Sequence, residues 1–125
     1  MNKSINFSAP LFPISVVSKL LNIHQRTLRI YDEENILKPK RTAKNRRMYS
    51  YNDIEKAKLI IYLMKNLALN LTGVKIILGL FEEFKINPNE YRKTLHKISA
   101  KNKIDEQENI KKTAKRGRKA LVKKI

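Results

Sequence analysis

After Ser15 the apolar residues Val16, Val17, Leu20 and Leu21 recur at spacings of one, three and four. That spacing puts them on one side of a short helix, which Ser15 can cap. Asn22-Ile23-His24 breaks the pattern. A second helix is predicted from Gln25 to about Glu34, with Leu28 and Tyr31 on one face and Gln25, Arg26 and Arg29 on the other. Two short helices joined by such a turn form a helix-turn-helix. In the second helix the basic residues come first and Asp32, Glu33 and Glu34 come last. Phosphate repels an acidic end, so the N-terminal half, with its exposed amides and favourable dipole, is the part suited to a groove. Taken alone, the segment also reads as an ordinary amphipathic helix with a mixed-charge face.

Pro39 ends the helical pattern, and Lys40 to Tyr49 holds five cations with β-compatible Thr42 and Tyr49 around a short turn. This predicts a basic β-hairpin. Ser50-Tyr51-Asn52-Asp53 has capping-box spacing and introduces a helix through Ile54, Ala57, Leu59, Ile60, Ile61, Leu63, Met64 and Leu67, apolar over much of its girth. Asn70 caps the next helix, Leu71 to about Phe84, with Leu71, Val74, Ile77, Leu78, Phe81 and Phe84 directed inward. Asn87-Pro88-Asn89-Glu90 offers a cap, a proline in the first helical position and an acid for a last helix. There Tyr91, Leu95 and Ile98 repeat at four and three, a coiled-coil seam cut short by Asn102 and Asp105. The same three residues also suit packing onto the chain's own core.

The 125 residues suffice for one modest domain with an appended helix or tail. Lys and Arg number 28 against 11 Asp and Glu, giving +17, which favours a polyanionic partner. Abundant Lys, Asn and Ile are also what an AT-rich genome produces, so the total alone is ambiguous. Its distribution adds more: residues 1–88 carry 15 cations against 7 acids, whereas the shorter stretch 89–125 carries 13 against 4. Lys111 to Lys124 has eight cations and no acid, and is expected to be a solvated, disordered tail. Within it Lys115-Arg116-Gly117-Arg118-Lys119 resembles the core of an AT-hook without the usual following proline. Cysteine is absent and the two histidines, His24 and His96, are far apart, so no thiolate chemistry and no metal site are expected. The longest apolar stretch falls well short of the ~20 residues a membrane span requires, and the expectation is a cytoplasmic, nucleoid-associated protein. No nucleophile–base pair, phosphate loop or carboxylate cluster suggests an enzyme or a cofactor.

Several fragments, in order, resemble the MerR family of winged-helix regulators. They are Thr27-Leu28-Arg29-Ile30-Tyr31-Asp32, Ile36-Leu37-Lys38-Pro39, Arg41-Thr42, Arg47-Met48-Tyr49-Ser50 and Asp53-Ile54. Asn70-Leu71-Thr72-Gly73-Val74-Lys75-Ile76-Ile77-Leu78 is similar to the HspR subgroup, repressors of heat-shock chaperone genes. The resemblance implies a mainly α winged helix-turn-helix over residues 12–84; the seam spacing together with the resemblance adds a dimerising helix over 87–110, and the charge run a basic tail over 111–125. It implies DNA contacts at Arg29, Arg47 and Tyr49. To these the pattern of the first helical turn and the wing adds Gln25, Arg26, Thr27, Arg41, Lys44 and Arg46. HspR-like proteins carry two glycines at the wing tip where Lys44 and Asn45 stand here; Asn tolerates the left-handed conformation the turn needs. Ile30 replaces a second aromatic residue.

The absent cysteines and the short C-terminal region separate this chain from metal-, redox- and drug-sensing relatives. The reading is a dimeric repressor, paired through Tyr91, Leu95 and Ile98, that binds an inverted repeat in duplex DNA; the resemblance further implies a DnaK-type chaperone as co-repressor. The alternative is a basic RNA-binding or ribosome-associated protein, which would need aromatic platforms, whereas the five Tyr and four Phe mostly sit at core spacings.

Overall fold

The computed structural model describes residues 6–104. In chain order the elements are β1 (Phe12–Pro13), α1 (Ile14–Leu21), α2 (Gln25–Glu33), β2 (Lys40–Arg41), β3 (Arg47–Tyr49), α3 (Tyr51–Lys65), α4 (Leu71–Glu83), a 3-10 turn (Pro88–Glu90) and α5 (Tyr91–Lys101). The fold is mainly helical, with a small antiparallel sheet ordered β1-β3-β2.

Strand β1 had no local signature: it pairs Phe12 with Tyr49 and Pro13 with Met48, partners distant in sequence. Proline lacks a donor, and it is tolerated because β1 is an edge strand. The chain passes straight from β1 into α1, so Pro13 is the N-cap and Ser15 lies inside the first turn. The expected Ser15 cap is therefore not made; its carbonyl instead accepts from Ser18 Oγ at 3.0 Å. Asn22 ends α1 in the left-handed conformation (φ 54°), and its N–H returns to the Lys19 and Ser18 carbonyls.

The capping box on α3 forms as its spacing predicts. Asp53 N–H donates to Ser50 Oγ at 3.0 Å, and Ser50 N–H donates to Asp53 Oδ2 at 2.9 Å. The helix ends at Lys65, short of Leu67, and buries Ile54, Ala57, Leu59, Ile60, Tyr62 and Leu63. Asn70 caps α4 by accepting from Gly73 N–H at 2.9 Å. Val74, Leu78 and Phe81 are buried on that helix, but Phe84 is 71% exposed, because α4 stops at Glu83 and Phe84 falls outside its inner stripe. Asn87 makes no side-chain cap, and Pro88 opens a 3-10 turn before α5 begins.

Leu28, Tyr31, Ile36, Leu37 and Tyr49 join the α3 and α4 residues in one hydrophobic core, which continues into Tyr91 and Leu95 of α5. Phe81 and Tyr91 stack with centroids 4.8 Å apart. The expected coiled-coil seam is thus two-thirds consumed by the protomer's own core, leaving Ile98 exposed. Among the described residues no helix is long and apolar enough to cross a membrane. The basic stretch 111–125 and Asp105 lie outside the described residues.

Candidate nucleic-acid interface

Helix α2 buries Leu28, Tyr31 and Asp32 and turns Arg26, Arg29, Ile30 and Glu33 outward. Those four positions fall at i, i+3, i+4 and i+7, so they share one helical face. Arg29 Nη2 donates to Gln25 Oε1 at 3.3 Å, one turn back, which holds both side chains on that face. Thr27 is half-buried and lines a groove of 480 Å³ with His24, Tyr31 and Met64, so it faces the core side rather than the outward face. Ile30 was absent from the expected contacts. Its exposure beside Arg26 and Arg29 gives the face an apolar group suited to a thymine methyl.

The wing pairs Lys40 with Met48 and Arg41 with Arg47. Its tip closes through Asn45 N–H donating to the Thr42 carbonyl at 2.8 Å, with Asn45 left-handed at φ 62°. Asparagine can occupy that region with little strain, so the turn survives without glycine. Lys44 and Arg46 are exposed at the tip and have no acidic partner among the described residues. That is the arrangement a phosphate contact requires.

Arg41 and Arg47 are placed differently from the expectation of free wing cations. Arg47 is only 20% exposed, and its Nε donates to Asp32 Oδ2 at 2.8 Å. Arg41 Nη2 donates to the same oxygen at 3.0 Å, and Lys38 Nζ lies 3.4 Å from Oδ1. Burial raises the Asp32 pKa, but the hydrogen bonds and charges of Arg47 and Lys38 outweigh it and hold the carboxyl below its ordinary value. Two of the three acids at this end of the helix are therefore paired, Asp32 by this cluster and Glu34 by Lys75 at 3.3 Å, while Glu33 stays exposed. The repulsion expected there is weaker than the sequence suggests.

Tyr49 is a correction. It is 0% exposed at the base of the wing, so its side chain holds β3 to the core and presents no atom to a partner. Burial pushes its hydroxyl up to about 12, partly opposed by the Arg47 charge. Tyr91 and Leu95 are likewise buried within the protomer and offer no free dimer seam. An outward stripe, Ile76 and Leu80 on α4 and Phe84 at its C-cap at successive spacings of four, is exposed instead. The inward assignment of Phe84 had concealed it in the sequence.

Residues 12–79 match the family described as MerR HTH family regulatory proteins. The HTH-type transcriptional regulator GlnR of Bacillus anthracis is 44% identical over 71 residues, which cover 57% of this chain and 54% of that protein. A putative heat shock protein HspR of Streptomyces coelicolor is 39% identical over 71 residues, covering 57% of this chain and 47% of its own length. This chain thus spans about half the length of the curated relatives it matches. Among solved structures, HiNmlR, a MerR family regulator lacking the sensor domain, bound to promoter DNA, superposes with a TM-score of 0.53 at 21% identity, over 90% of this chain and 86% of that one. At that identity the likeness is one of fold. A MerR family transcriptional regulator from Bacillus cereus gives 0.51 at 26% identity, over 90% and 81%.

Proposed function

The chain belongs to the MerR HTH family of regulatory proteins, and from that premise we propose that the outward face of α2 and the tip of the wing form its interface with duplex DNA. It is a transcriptional regulator, not an enzyme. Helix α2 enters a major groove, where Gln25, Arg26, Arg29 and Ile30 reach base edges, while Lys44 and Arg46 rest on backbone phosphate. The observation that carries the reading is that these cations lie exposed on two adjoining elements while Asp32 and Glu34 are paired, which leaves Glu33 at the end of α2 as the acid still exposed on this face. HiNmlR, which shares the fold, is bound to promoter DNA, which supports DNA as the partner.

The protein acts as a dimer on an inverted repeat, since two identical recognition helices impose two-fold symmetry on their site. With Tyr91 and Leu95 buried, the exposed stripe of Ile76, Leu80 and Phe84 is assigned as the pairing surface. An antiparallel α4 pair would set Leu80 on the two-fold and Ile76 against Phe84 of the other copy. The likeness to HspR favours repression of heat-shock chaperone genes with a DnaK-type co-repressor. The likeness to GlnR, a transcriptional regulator, is at higher identity over an equal length. Mapping bound sites genome-wide before and after heat shock tests this: occupancy at chaperone promoters that falls on heating supports it, and sites elsewhere that ignore temperature contradict it. Competition between duplex DNA and structured RNA separates the reading from an RNA-binding one.

A further inference from the structure

We propose that Asp32 is a positioning residue that fixes the wing relative to the recognition helix, acting through Arg41 and Asn45. The inference rests on the DNA-interface reading above and adds how its two parts are held in register. Asp32 stands in the last turn of α2 with its side chain 9% exposed. A carboxylate there is doubly disfavoured, by burial and by the negative end of the helix dipole, and α2 has no basic residue in its own last turn to offset it. All three of its cationic partners come from outside the helix. Lys38 precedes β2, Arg41 lies on β2 and Arg47 on β3, so one carboxylate reaches both strands of the hairpin.

The contact continues to the wing tip. While Arg41 Nη2 is held by Asp32, its Nη1 donates to Asn45 Oδ1 at 3.3 Å and points to the Asn45 carbonyl at 3.5 Å. Asn45 is the left-handed residue on which the tip turns. A continuous polar path therefore runs from α2 through Asp32 and Arg41 to Asn45, and Lys44 and Arg46 flank its far end. Strands β2 and β3 have only two and three residues, and so short a ladder defines a hairpin's direction poorly. A planar guanidinium holding two acceptors at once supplies the constraint that the ladder lacks.

The test turns on the sign of the effect. If Asp32 acts only as a negative charge near DNA, Asp32→Asn should tighten binding to every duplex alike. If it positions the wing, the same change should weaken binding to a preferred sequence while leaving non-specific binding unchanged or stronger. The probes are the duplex that the native full-length chain selects most strongly from a randomised library and a shuffled duplex of the same composition, titrated at fixed salt. We expect Asp32→Asn to lose about tenfold on the selected duplex, the scale of one good contact misplaced, without loss on the shuffled one. Asn45→Gly retains the left-handed tip but removes the Oδ1 acceptor, and should lower the same ratio by a smaller factor. An unchanged melting temperature in that variant excludes general unfolding. Equal tightening on both duplexes by Asp32→Asn overturns the proposal. If that variant fails to fold, Asn45→Gly decides, and a native ratio there overturns it. A native chain that prefers no duplex instead defeats the DNA-interface reading, whereas native preference retained in both variants defeats only the positioning role.

Discussion

Replacing Tyr49 by phenylalanine separates a core residue from a DNA contact. The hydroxyl of Tyr49 is buried and finds no hydrogen-bond partner among the described residues. Burying an unpaired hydroxyl costs about 1–3 kcal/mol in proteins, and Tyr49→Phe removes that cost while keeping the ring. The void left by one oxygen is smaller than a methyl group and subtracts less than about 1 kcal/mol. The net expectation runs from no change to a gain of about 2 kcal/mol. At this size each kcal/mol moves the melting temperature by about 4–8 °C. Tyr49→Ala, which deletes the ring, should instead cost about 3–5 kcal/mol.

The assay is urea and thermal unfolding at one protomer concentration, together with affinity for a selected duplex. An alkaline arm sharpens it. The folded Tyr49 is pushed from 10.0 up to about 12, so below pH 10 its ionisation does not affect stability, and from there through about 12 the fold loses stability because the unfolded phenol ionises first. Tyr49→Phe should lack that alkaline loss. A destabilisation above about 1 kcal/mol would show that the hydroxyl is bonded. Unchanged stability with about a tenfold loss on DNA would show that it reaches the duplex after all.

Asn70→Ala should cost about 1 kcal/mol in urea unfolding, because it leaves the Gly73 N–H on α4 without its acceptor. The depressed Asp32 carboxyl stabilises the fold above its ordinary pKa of 3.8 and ceases to do so as pH falls through its lower folded value. Acid unfolding of the native chain should therefore be steeper there than that of Asp32→Asn, and parallel curves would contradict the cluster. Leu80→Glu, at the centre of the exposed α4 stripe, should convert a dimer to a monomer by mass measurement without lowering the monomer's helix content. Deleting residues 111–125 should weaken DNA binding most at low salt; a larger loss on AT-rich than on GC-rich flanks indicates an inserted arm, and no loss at all points to a protein partner for that stretch.

What could be read from the sequence was local. The Ser50–Asp53 box, the Asn70 cap and the alternation of Leu28 and Tyr31 with Arg26 and Arg29 each depend on residues within one or two turns. Asn45 could be assigned its left-handed turn because side-chain chemistry alone restricts which residues accept it. What escaped depends on partners far along the chain. Strand β1 exists because Phe12 meets Tyr49 and Pro13 meets Met48, and the helix that follows directly has its cap at Pro13 and not at Ser15. Asp32 looked like a repulsive end until Arg41 and Arg47 arrived from the hairpin. Tyr91 and Leu95 have seam spacing, but a helical repeat does not say whether the neighbour is another copy or the chain's own α3 and α4.

The central claim, that the α2 face reads sequence while the wing tip holds the backbone, is tested most directly by comparing specificity profiles of two variants on a randomised duplex library. Gln25→Ala should alter preference at one or two positions, by about 1–3 kcal/mol there, and leave the others as in the native chain. Arg46→Ala should weaken all sequences about equally and lower the salt slope by about one unit. Profiles that change identically in the two variants, or a native chain that selects no sequence at all, would contradict the account.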